Sequence, residues 1–360
     1  MLFASLALFA SAALATPLQR AGGLQVEISA PKDAASVADL SFEAKITNNG
    51  AEDLKVLKYG TVLDSLPTRS FAVTKDGAEV DFTGVKLSVS LEENAENAFT
   101  VIQAGETVSV THDISALFDF ESAGAGTFSF EPLVDFMVTK ADSELDALVP
   151  LAGLAKAKVD SNAFEVAVSN VDKVALLGEA ELEKRSRVSC STSSYNSFIS
   201  SSYTEGKALA SLGVSYISQY GSSGSIYSAY FSGVSTSSVS SKLSAVANEN
   251  SSSRTLSCSD PYSVCDGNVI AYTLTSTTNI YFCSIFYNEV ATSRLCSGTS
   301  VASRNIRGGT TLHELTHAVA STDDVTYGCA NDQALSASNK LRNADNYNCF
   351  VTQVYASTQC

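Results

Sequence analysis

The sequence predicts an α+β protein in two parts, a β-rich, sandwich-like first half (residues 16–185) and a mostly helical second half (residues 186–360) with a small β-sheet. Three observations predict this division. Short stretches of alternating apolar and polar residues recur through the first half, which is typical of an antiparallel sandwich. The second half is rich in serine, tyrosine and alanine and favours helices joined by polar loops. Charge and cysteine content also change between the halves.

The first 15 residues have the pattern of a signal peptide. Leu2–Ala10 is apolar, and Ala13-Leu14-Ala15 supplies a cleavage pattern of small residues before Thr16. Because no lysine or arginine precedes the apolar stretch, a buried N-terminal strand or helix is the alternative. No other stretch approaches the roughly 18 apolar residues of a membrane span. We therefore expect a secreted, extracellular protein with no membrane partner.

Strands in the first half are predicted where apolar residues recur at every second position. Two of these stretches run into turn signals, Asn48-Asn49-Gly50 and Lys75-Asp76-Gly77. The predicted strands are Leu24–Ile28, Leu40–Ile46, Phe71–Thr74, Val85–Leu91, Phe99–Ile102, Val108–His112 and Thr127–Phe130. The first half contains no recognisable catalytic group. In the second half, Ala208–Ala229 predicts helix, interrupted by a loop at Gly221–Ser225.

Charge and cysteine content separate the two halves. The first half has 28 acidic and 14 basic residues, a net charge of −14, and the second has 10 acidic and 9 basic, a net of −1, which together give −15. This balance argues against nucleic acid as a partner, because phosphate binding needs a basic surface. An even number of cysteines in one half predicts four disulfides and an oxidising compartment. They are Cys190, Cys258, Cys265, Cys283, Cys296, Cys329, Cys349 and Cys360.

A dibasic pair, Lys184-Arg185, lies where the composition changes and five residues before the first cysteine. Dibasic pairs in secreted precursors are common cleavage sites, although a surface Lys-Arg pair also arises by chance. The pair predicts that a processing protease cuts after Arg185 and that the mature chain begins at Ser186. The first half would then be a propeptide that is removed.

The motif His313-Glu314-Leu315-Thr316-His317 carries the chemistry of the second half. Histidines four residues apart lie on one face of a helix, so both imidazoles can bind one metal ion. Glu314 can accept a proton from water activated by zinc, which is the chemistry of the HExxH motif. A capping box formed by Thr311 and Glu314 is the alternative, but it explains neither histidine. The motif predicts a catalytic Zn²⁺, one per chain.

A catalytic zinc usually has three protein ligands, so a third is needed. No histidine follows His317 and no glutamate follows Glu314, which leaves aspartate. The aspartates that remain after the motif are Asp323, Asp324, Asp332 and Asp345.

The region after the motif resembles the deuterolysin family, or aspzincins, which are fungal secreted zinc endopeptidases whose HExxH is followed by a GTxxD-type segment. Here the segment begins Ser321-Thr322-Asp323-Asp324, with serine in place of the family glycine and a shorter gap from His317. The resemblance implies that Asp324 is the third ligand and that Tyr327 stabilises the oxyanion. Asp323 stays open as an alternative ligand.

A second family segment, Asn-Ala-Asp-x-Tyr, matches residues 343–347. The resemblance implies that Asp345 is required near the metal, and we expect it to orient a zinc-bound histidine through the other ring nitrogen. Asp345 as the third ligand is the competing interpretation. The resemblance covers about Cys190–Cys360 and implies a zincin-type fold with the disulfides Cys190–Cys258, Cys265–Cys283 and Cys296–Cys360. Cys329 and Cys349 would then pair with each other.

Taken together, these features predict a secreted zinc metalloendopeptidase that cuts internal bonds of proteins and peptides. We expect a monomer, made as a precursor. One alternative is a secreted binding or structural protein with a structural zinc, for which four protein ligands would be needed. Another is an inactive protease homologue, against which the intact Glu314 and Tyr327 argue.

Overall fold

A computed structural model describes four stretches of the chain, residues 22–91, 95–143, 154–176 and 188–360. The predicted signal peptide and the Lys184-Arg185 pair lie outside the described residues. The predicted mixture of α and β structure is confirmed, with several β-sheets and eight α-helices in the described residues. Among these residues, no helix combines the length and the apolar character that crossing a membrane requires.

The described part of the first half is dominated by short strands that form three sheets, with strand orders β13-β1-β3-β9, β2-β14-β10-β5-β6 and β12-β11-β4-β8. Most neighbours are antiparallel, but β1 pairs with β13 and β2 with β14 in parallel. The elements are β1 (Gly22–Ser29), β2 (Asp33–Ser36), β3 (Ser41–Asn48), β4 (Leu54–Leu57), β5 (Phe71–Lys75), β6 (Ala78–Glu79), β7 (Val85–Val89), β8 (Phe99–Ile102), β9 (Thr107–Asp113), α1 (Phe120–Ala123), β10 (Gly126–Pro132), β11 (Met137–Lys140), β12 (Ala155–Lys156), β13 (Lys158–Asp160) and β14 (Phe164–Asn170).

Alternation along the strands produces the core of the first half. In β3 every second residue is buried, so Phe42 and Ile46 point into the core while their neighbours do not. Phe42 meets Phe71, Phe130 and Phe164 edge to face, with ring centroids 5.5, 5.0 and 5.1 Å away. Edge-to-face contacts of this kind stabilise beyond the area that they bury.

The second half is mostly helical, with four strands in one small sheet. Its elements are β15 (Val188–Ser189), α2 (Ser193–Tyr220), α3 (Ser225–Phe231), α4 (Thr236–Ala247), β16 (Leu256–Ser257), β17 (Val269–Leu274), β18 (Asn279–Phe282), α5 (Arg307–Ala320), α6 (Cys329–Ala334), α7 (Ala337–Arg342) and α8 (Ala344–Thr358). The loop predicted after Gly221 separates α2 from α3 as a short 3₁₀ turn.

Helix α5 is enclosed by α2, α4, α8 and the sheet. Helix α2 approaches it closely because Gly206 has no side chain, and a Cβ there would lie 2.9 Å from the carbonyl oxygen of Gly308. Four disulfides cross-link this half, namely Cys190–Cys258, Cys265–Cys283, Cys296–Cys360 and Cys329–Cys349. Three of them are the pairs that the sequence resemblance implies, and the fourth joins the two cysteines that were left over.

One predicted strand of the first half, Val85–Leu91, does not join the three sheets described above. It ends at Val89 and, as β7, it extends the sheet of the second half, whose order is β15-β16-β18-β17-β7. β7 runs antiparallel to β17, with Leu87 opposite Tyr272. Without β7, the main-chain N–H and C=O groups along this edge of β17 would have no strand partner.

Candidate active site

Helix α5 holds the two histidines on one face. All its residues from Gly308 to His317 are buried. The spacing of four residues stacks the imidazoles, with ring centroids 4.8 Å apart and Nε2 atoms 3.1 Å apart. Two buried imidazoles at this distance could supply two of the ligands of one metal ion.

The end of α5 brings the third side chain to the histidines. Ser321 adopts a left-handed conformation with φ +50°, and its N–H donates to the carbonyl of Thr316. This turn sends the following residues back along the helix. Left-handed backbone favours glycine, and glycine is the residue of the family segment that this stretch resembles.

Asp324 is the aspartate that the structure brings to both histidines. Its Oδ1 lies 3.1 Å from Nε2 of His313 and 3.1 Å from Nε2 of His317. The three ligand atoms therefore form a nearly equilateral triangle, and these residues are one of two groups in the described part of the chain that could hold a metal. Tetrahedral zinc, with bonds of about 2.0–2.1 Å, separates its ligand atoms by about 3.3 Å.

The other predicted aspartates point elsewhere. Asp323 forms ion pairs with Lys86 at 2.9 Å and with Arg342 at 2.6 Å. Asp332 accepts a hydrogen bond from the side-chain amide of Asn343 at 2.9 Å. Neither carboxylate belongs to the group formed by the two histidines and Asp324.

The second metal-compatible group, Cys329, Asp332 and Cys349, is not a metal site. Its two sulfurs are joined in a disulfide, whereas a metal ligand must be a free thiolate. The disulfide instead ties the start of helix α6, two residues after Tyr327, to helix α8.

Opposite charges balance within the histidine and aspartate group. Burial lowers the pKa of His313, but the neighbouring carboxylates of Asp324 and Asp345 outweigh burial and raise the pKa to about 10. Burial raises the pKa of Asp324, but its two histidine neighbours hold that pKa well below its usual range. The carboxylate is therefore negative and ready to bind a cation.

Contacts behind the histidines fix their orientation. Nδ1 of His317 donates to the carbonyl oxygen of Thr322 at 2.9 Å, which directs Nε2 toward Asp324. Nδ1 of His313 faces Oδ1 of Asp345 at 3.7 Å, an electrostatic contact rather than a hydrogen bond. Asp345 itself is fully buried and is held by Arg304 at 2.7 and 3.0 Å.

Glu314 lies on the same helix and is also fully buried. Thr273 of β17 donates to its Oε2 at 2.6 Å, while Oε1 has no hydrogen-bond partner among the described residues. Burial raises the pKa of Glu314 to about 8, against the opposing effects of His313 and Thr273. A carboxylate with a pKa near neutrality is suited to accept and return a proton.

Tyr327 follows Asp324 by three residues and is also buried. Its hydroxyl donates to the main-chain carbonyl of Leu87 at 3.2 Å. Burial raises its pKa well above the ordinary value, so the phenol stays protonated and remains a donor. The guanidinium of Arg304 lies 5.7 Å from the ring centre.

Three contributors to this region carry no recognisable signal in the sequence. Thr273 and Arg304 are single polar residues outside any motif. Leu87 belongs to a stretch that predicts a strand, but its position beside the histidines depends on pairing with β17, far along the chain. Local patterns predict elements and spacing, whereas these contacts arise from tertiary packing.

Comparison with known proteins identifies the family. The Deuterolysin metalloprotease (M35) family matches residues 1–358. A neutral protease 2 homolog from Aspergillus oryzae is 32% identical over 355 residues, covering 94% of each chain. Penicillolysin from Penicillium citrinum is 30% identical over 332 residues, covering 88% of this chain and 89% of its own. A solved structure, a zinc peptidase from Grifola frondosa, matches with a TM-score of 0.37 at 20% identity, covering 45% of this chain and 96% of its own. The chain belongs to the deuterolysin metalloprotease family, as its sequence motifs indicate, and is a metalloprotease.

Proposed function

We propose that this metalloprotease is a secreted, monomeric zinc endopeptidase that hydrolyses internal peptide bonds of proteins. The observation that carries the proposal is the triangle of two histidine nitrogens and one aspartate oxygen, with edges of 3.1 Å. Its size and its nitrogen and oxygen donors fit zinc with one position left for the reaction. His313, His317 and Asp324 would hold one Zn²⁺ per chain.

When bound in such a site, zinc polarises a carbonyl oxygen and makes water a stronger nucleophile. Glu314 would take a proton from the attacking water and return it to the nitrogen of the departing amine. Its buried carboxylate, with a pKa raised to about 8, supports both directions of transfer. Thr273 would hold that carboxylate in one orientation through its hydrogen bond.

Tyr327 would donate to the oxygen of the substrate carbonyl as negative charge develops on it. Asp345 would act through His313, whose imidazole ring it would hold in position. Its burial and its two hydrogen bonds from Arg304 support a fixed orientation. All eight cysteines are in disulfides, so none is available to close a structural zinc site. This counts against the alternative of a structural metal.

We also propose that the protein is made as a precursor, with a signal peptide at residues 1–15 and a propeptide at 16–185. Cleavage after Lys184-Arg185 by a processing protease would release a catalytic domain that begins at Ser186. The change in charge and cysteine content at this point supports the boundary. N-terminal sequencing of the protein from culture medium tests it, and a start before residue 170 would overturn it.

The enzyme is tested with the full chain, folded first and then cut at Arg185 by a dibasic-specific protease. Zinc content and casein hydrolysis are measured for the wild type and for Glu314→Gln. We expect one zinc per chain in both proteins and hydrolysis in the wild type alone. A folded, fully oxidised wild type without zinc would overturn the proposal. Zinc in both proteins without hydrolysis in either would indicate a structural metal.

A further inference from the structure

Strand β7 lies on the second half in the manner of a bound peptide. It pairs antiparallel with β17, the strand that supplies Thr273 to the active site. Its ends are also held by main-chain hydrogen bonds, from Thr275 to Gly84 at 3.0 Å and from Ser90 to Asn268 at 2.8 Å. Addition of an extended segment to an open sheet edge is a general mode of peptide recognition.

The peptide bond between Leu87 and Ser88 faces the catalytic groups. The carbonyl oxygen of Leu87 lies 3.0 Å from Nε2 of His313 and 3.2 Å from the hydroxyl of Tyr327. The amide of Leu87 donates to Oδ2 of Asp324 at 2.7 Å.

We propose that Val85–Val89 is bound as a peptide substrate is bound, so that its register identifies the bond that the enzyme cuts and the side chains that it prefers. The proposal rests on the proposed peptidase function. Water would add to the carbonyl carbon of Leu87, and the bond to the nitrogen of Ser88 would break. The water proton taken by Glu314 would pass to that nitrogen, leaving a carboxylate and an amine.

The register also assigns side-chain preferences. Leu87 is 1% exposed and belongs to an apolar cluster with Tyr272 and Tyr327 of the second half, so a bulky aliphatic residue before the cut fits. Ser88, after the cut, is buried and small.

The side chain of Lys86 meets acidic and carbonyl oxygens of the second half. Its Nζ lies 2.9 Å from Oδ1 of Asp323 and donates to the carbonyl of Thr322 at 2.5 Å. Both partners remain in the enzyme after the first half is removed. The preferred substrate is therefore an extended peptide with a basic residue immediately before the aliphatic residue whose carbonyl is attacked.

While the first half is attached, the same strand excludes other peptides from the edge of β17. Until it is cut or displaced, it is thus a competitive inhibitor within the chain. A second ion pair between the halves, Lys58 with Asp266, has the same length of 2.9 Å but involves neither the motif nor β7. It provides a matched control for Lys86.

The first experiment uses a synthetic peptide of residues 83–91 and a second peptide with Lys86→Glu. Both are given to the full chain after folding and cleavage at Arg185, and the products are identified by mass spectrometry. We expect a single cut between Leu87 and Ser88, and a kcat/KM lower by about tenfold for the Lys86→Glu peptide because like charges would meet at Asp323. A different cut site, no cut, or equal values for the two peptides would overturn the assignment.

Failure of this inference can be separated from failure of the proposed function. Casein hydrolysis with no binding of the peptide would overturn the inference alone. Binding is measured separately by calorimetry on the processed Glu314→Gln protein, where we expect the Lys86→Glu peptide to bind about tenfold more weakly. Peptide binding by a protein that hydrolyses neither casein nor peptide would instead overturn the peptidase function.

The second experiment tests inhibition in the intact chain, with Arg185→Ala to prevent processing. Lys86→Glu is added to one sample and Lys58→Glu to another, and hydrolysis of a short fluorogenic peptide is measured. We expect activity to rise about tenfold with Lys86→Glu and not with Lys58→Glu, because only Lys86 belongs to the blocking strand. Equal effects of the two variants would mean that the strand contributes no more than any other contact between the halves.

Discussion

The first half is built around phenylalanine rings and contains no cysteine, whereas the second half is cross-linked by four disulfides. In the first half, Phe42 is fully buried at the centre of an edge-to-face cluster. In the second half, Cys329–Cys349 joins the start of α6, two residues after Tyr327, to α8. The halves meet where β7 pairs with β17.

The two halves are therefore stabilised in different ways. Apolar burial stabilises the first half only while its sheets stay packed together. A disulfide acts mainly on the unfolded chain, whose entropy it lowers. The cross-links are confined to the half that carries the proposed chemistry, and they would help that half to stay folded after the proposed cleavage. The following substitutions change one half at a time.

The largest contrast is expected between two histidines. His313→Gln should lower peptide hydrolysis by the processed protein by about a thousandfold or more, because several kcal/mol of charge stabilisation would be lost. His112→Gln should leave that activity unchanged, since His112 lies in the first half and hydrogen-bonds the carbonyl of Val62. Initial rates on casein, with circular dichroism to verify folding, provide the measurement. Similar losses for both variants would contradict the division of roles.

Removal of an aromatic ring should affect the first half alone. Phe42→Ala is expected to lower its free energy of unfolding by about 3–5 kcal/mol, because a fully buried ring leaves a cavity. Val101→Ala is the control, since Val101 is 47% exposed, and its effect should stay below about 0.5 kcal/mol. Hydrogen exchange followed by mass spectrometry assigns the change to each half. Faster exchange throughout α5 in the Phe42→Ala protein would argue against independent stability.

The complementary change removes one cross-link from the second half. The double variant Cys329→Ala, Cys349→Ala should lose about 3 kcal/mol of stability, because the disulfide closes a loop of about 20 residues. We expect faster hydrogen exchange in α8 and unchanged exchange in β3 and β10 of the first half. An unchanged exchange rate in α8 would mean that packing of that helix, rather than the disulfide, sets its stability.

Sequence patterns predict where the strands of this protein lie better than they predict which strands pair with each other. Alternation predicts β3 and β10 because it depends on neighbouring residues. The pairing of Leu87 with Tyr272 joins residues far apart in the chain, and nothing in either stretch specifies the other. The strand at Val85 is therefore predictable, but its contact with the active site is not.

The candidate metal-binding group likewise has one part that the sequence predicts and one part that it does not. The spacing of His313 and His317 follows from helix geometry. The third residue could be narrowed to four aspartates by elimination, but the proximity of Asp324 depends on the left-handed turn at Ser321, which serine does not signal. Arg304 has no pattern at all, because its role comes from contact with the buried Asp345.

The smallest effect is expected from pH, and it concerns two aspartates of the first half. Burial raises the pKa of Asp64 to about 6, although Thr68 and the amide of Leu66 oppose it. The folded first half therefore binds this proton more tightly than the unfolded chain. The stabilisation is fully present below the unfolded pKa near 4 and is lost as the pH rises through 6, a fall of about 2 kcal/mol from pH 4 to pH 6.

Asp119 should contribute with the opposite sign. Hydrogen bonds from Ser122 hold its pKa below the ordinary value, so its stabilisation is present above that value and is lost as the pH falls. Urea unfolding of the full chain at pH 4, 5 and 6, with hydrogen exchange to follow the first half, compares the wild type with Asp64→Asn and Asp119→Asn. Asp64→Asn should remove the decline between pH 4 and pH 6, whereas Asp119→Asn should preserve it. If Asp64→Asn retains the full decline, another group in the first half binds the proton, and burial of Asp64 does not govern the pH dependence of this half.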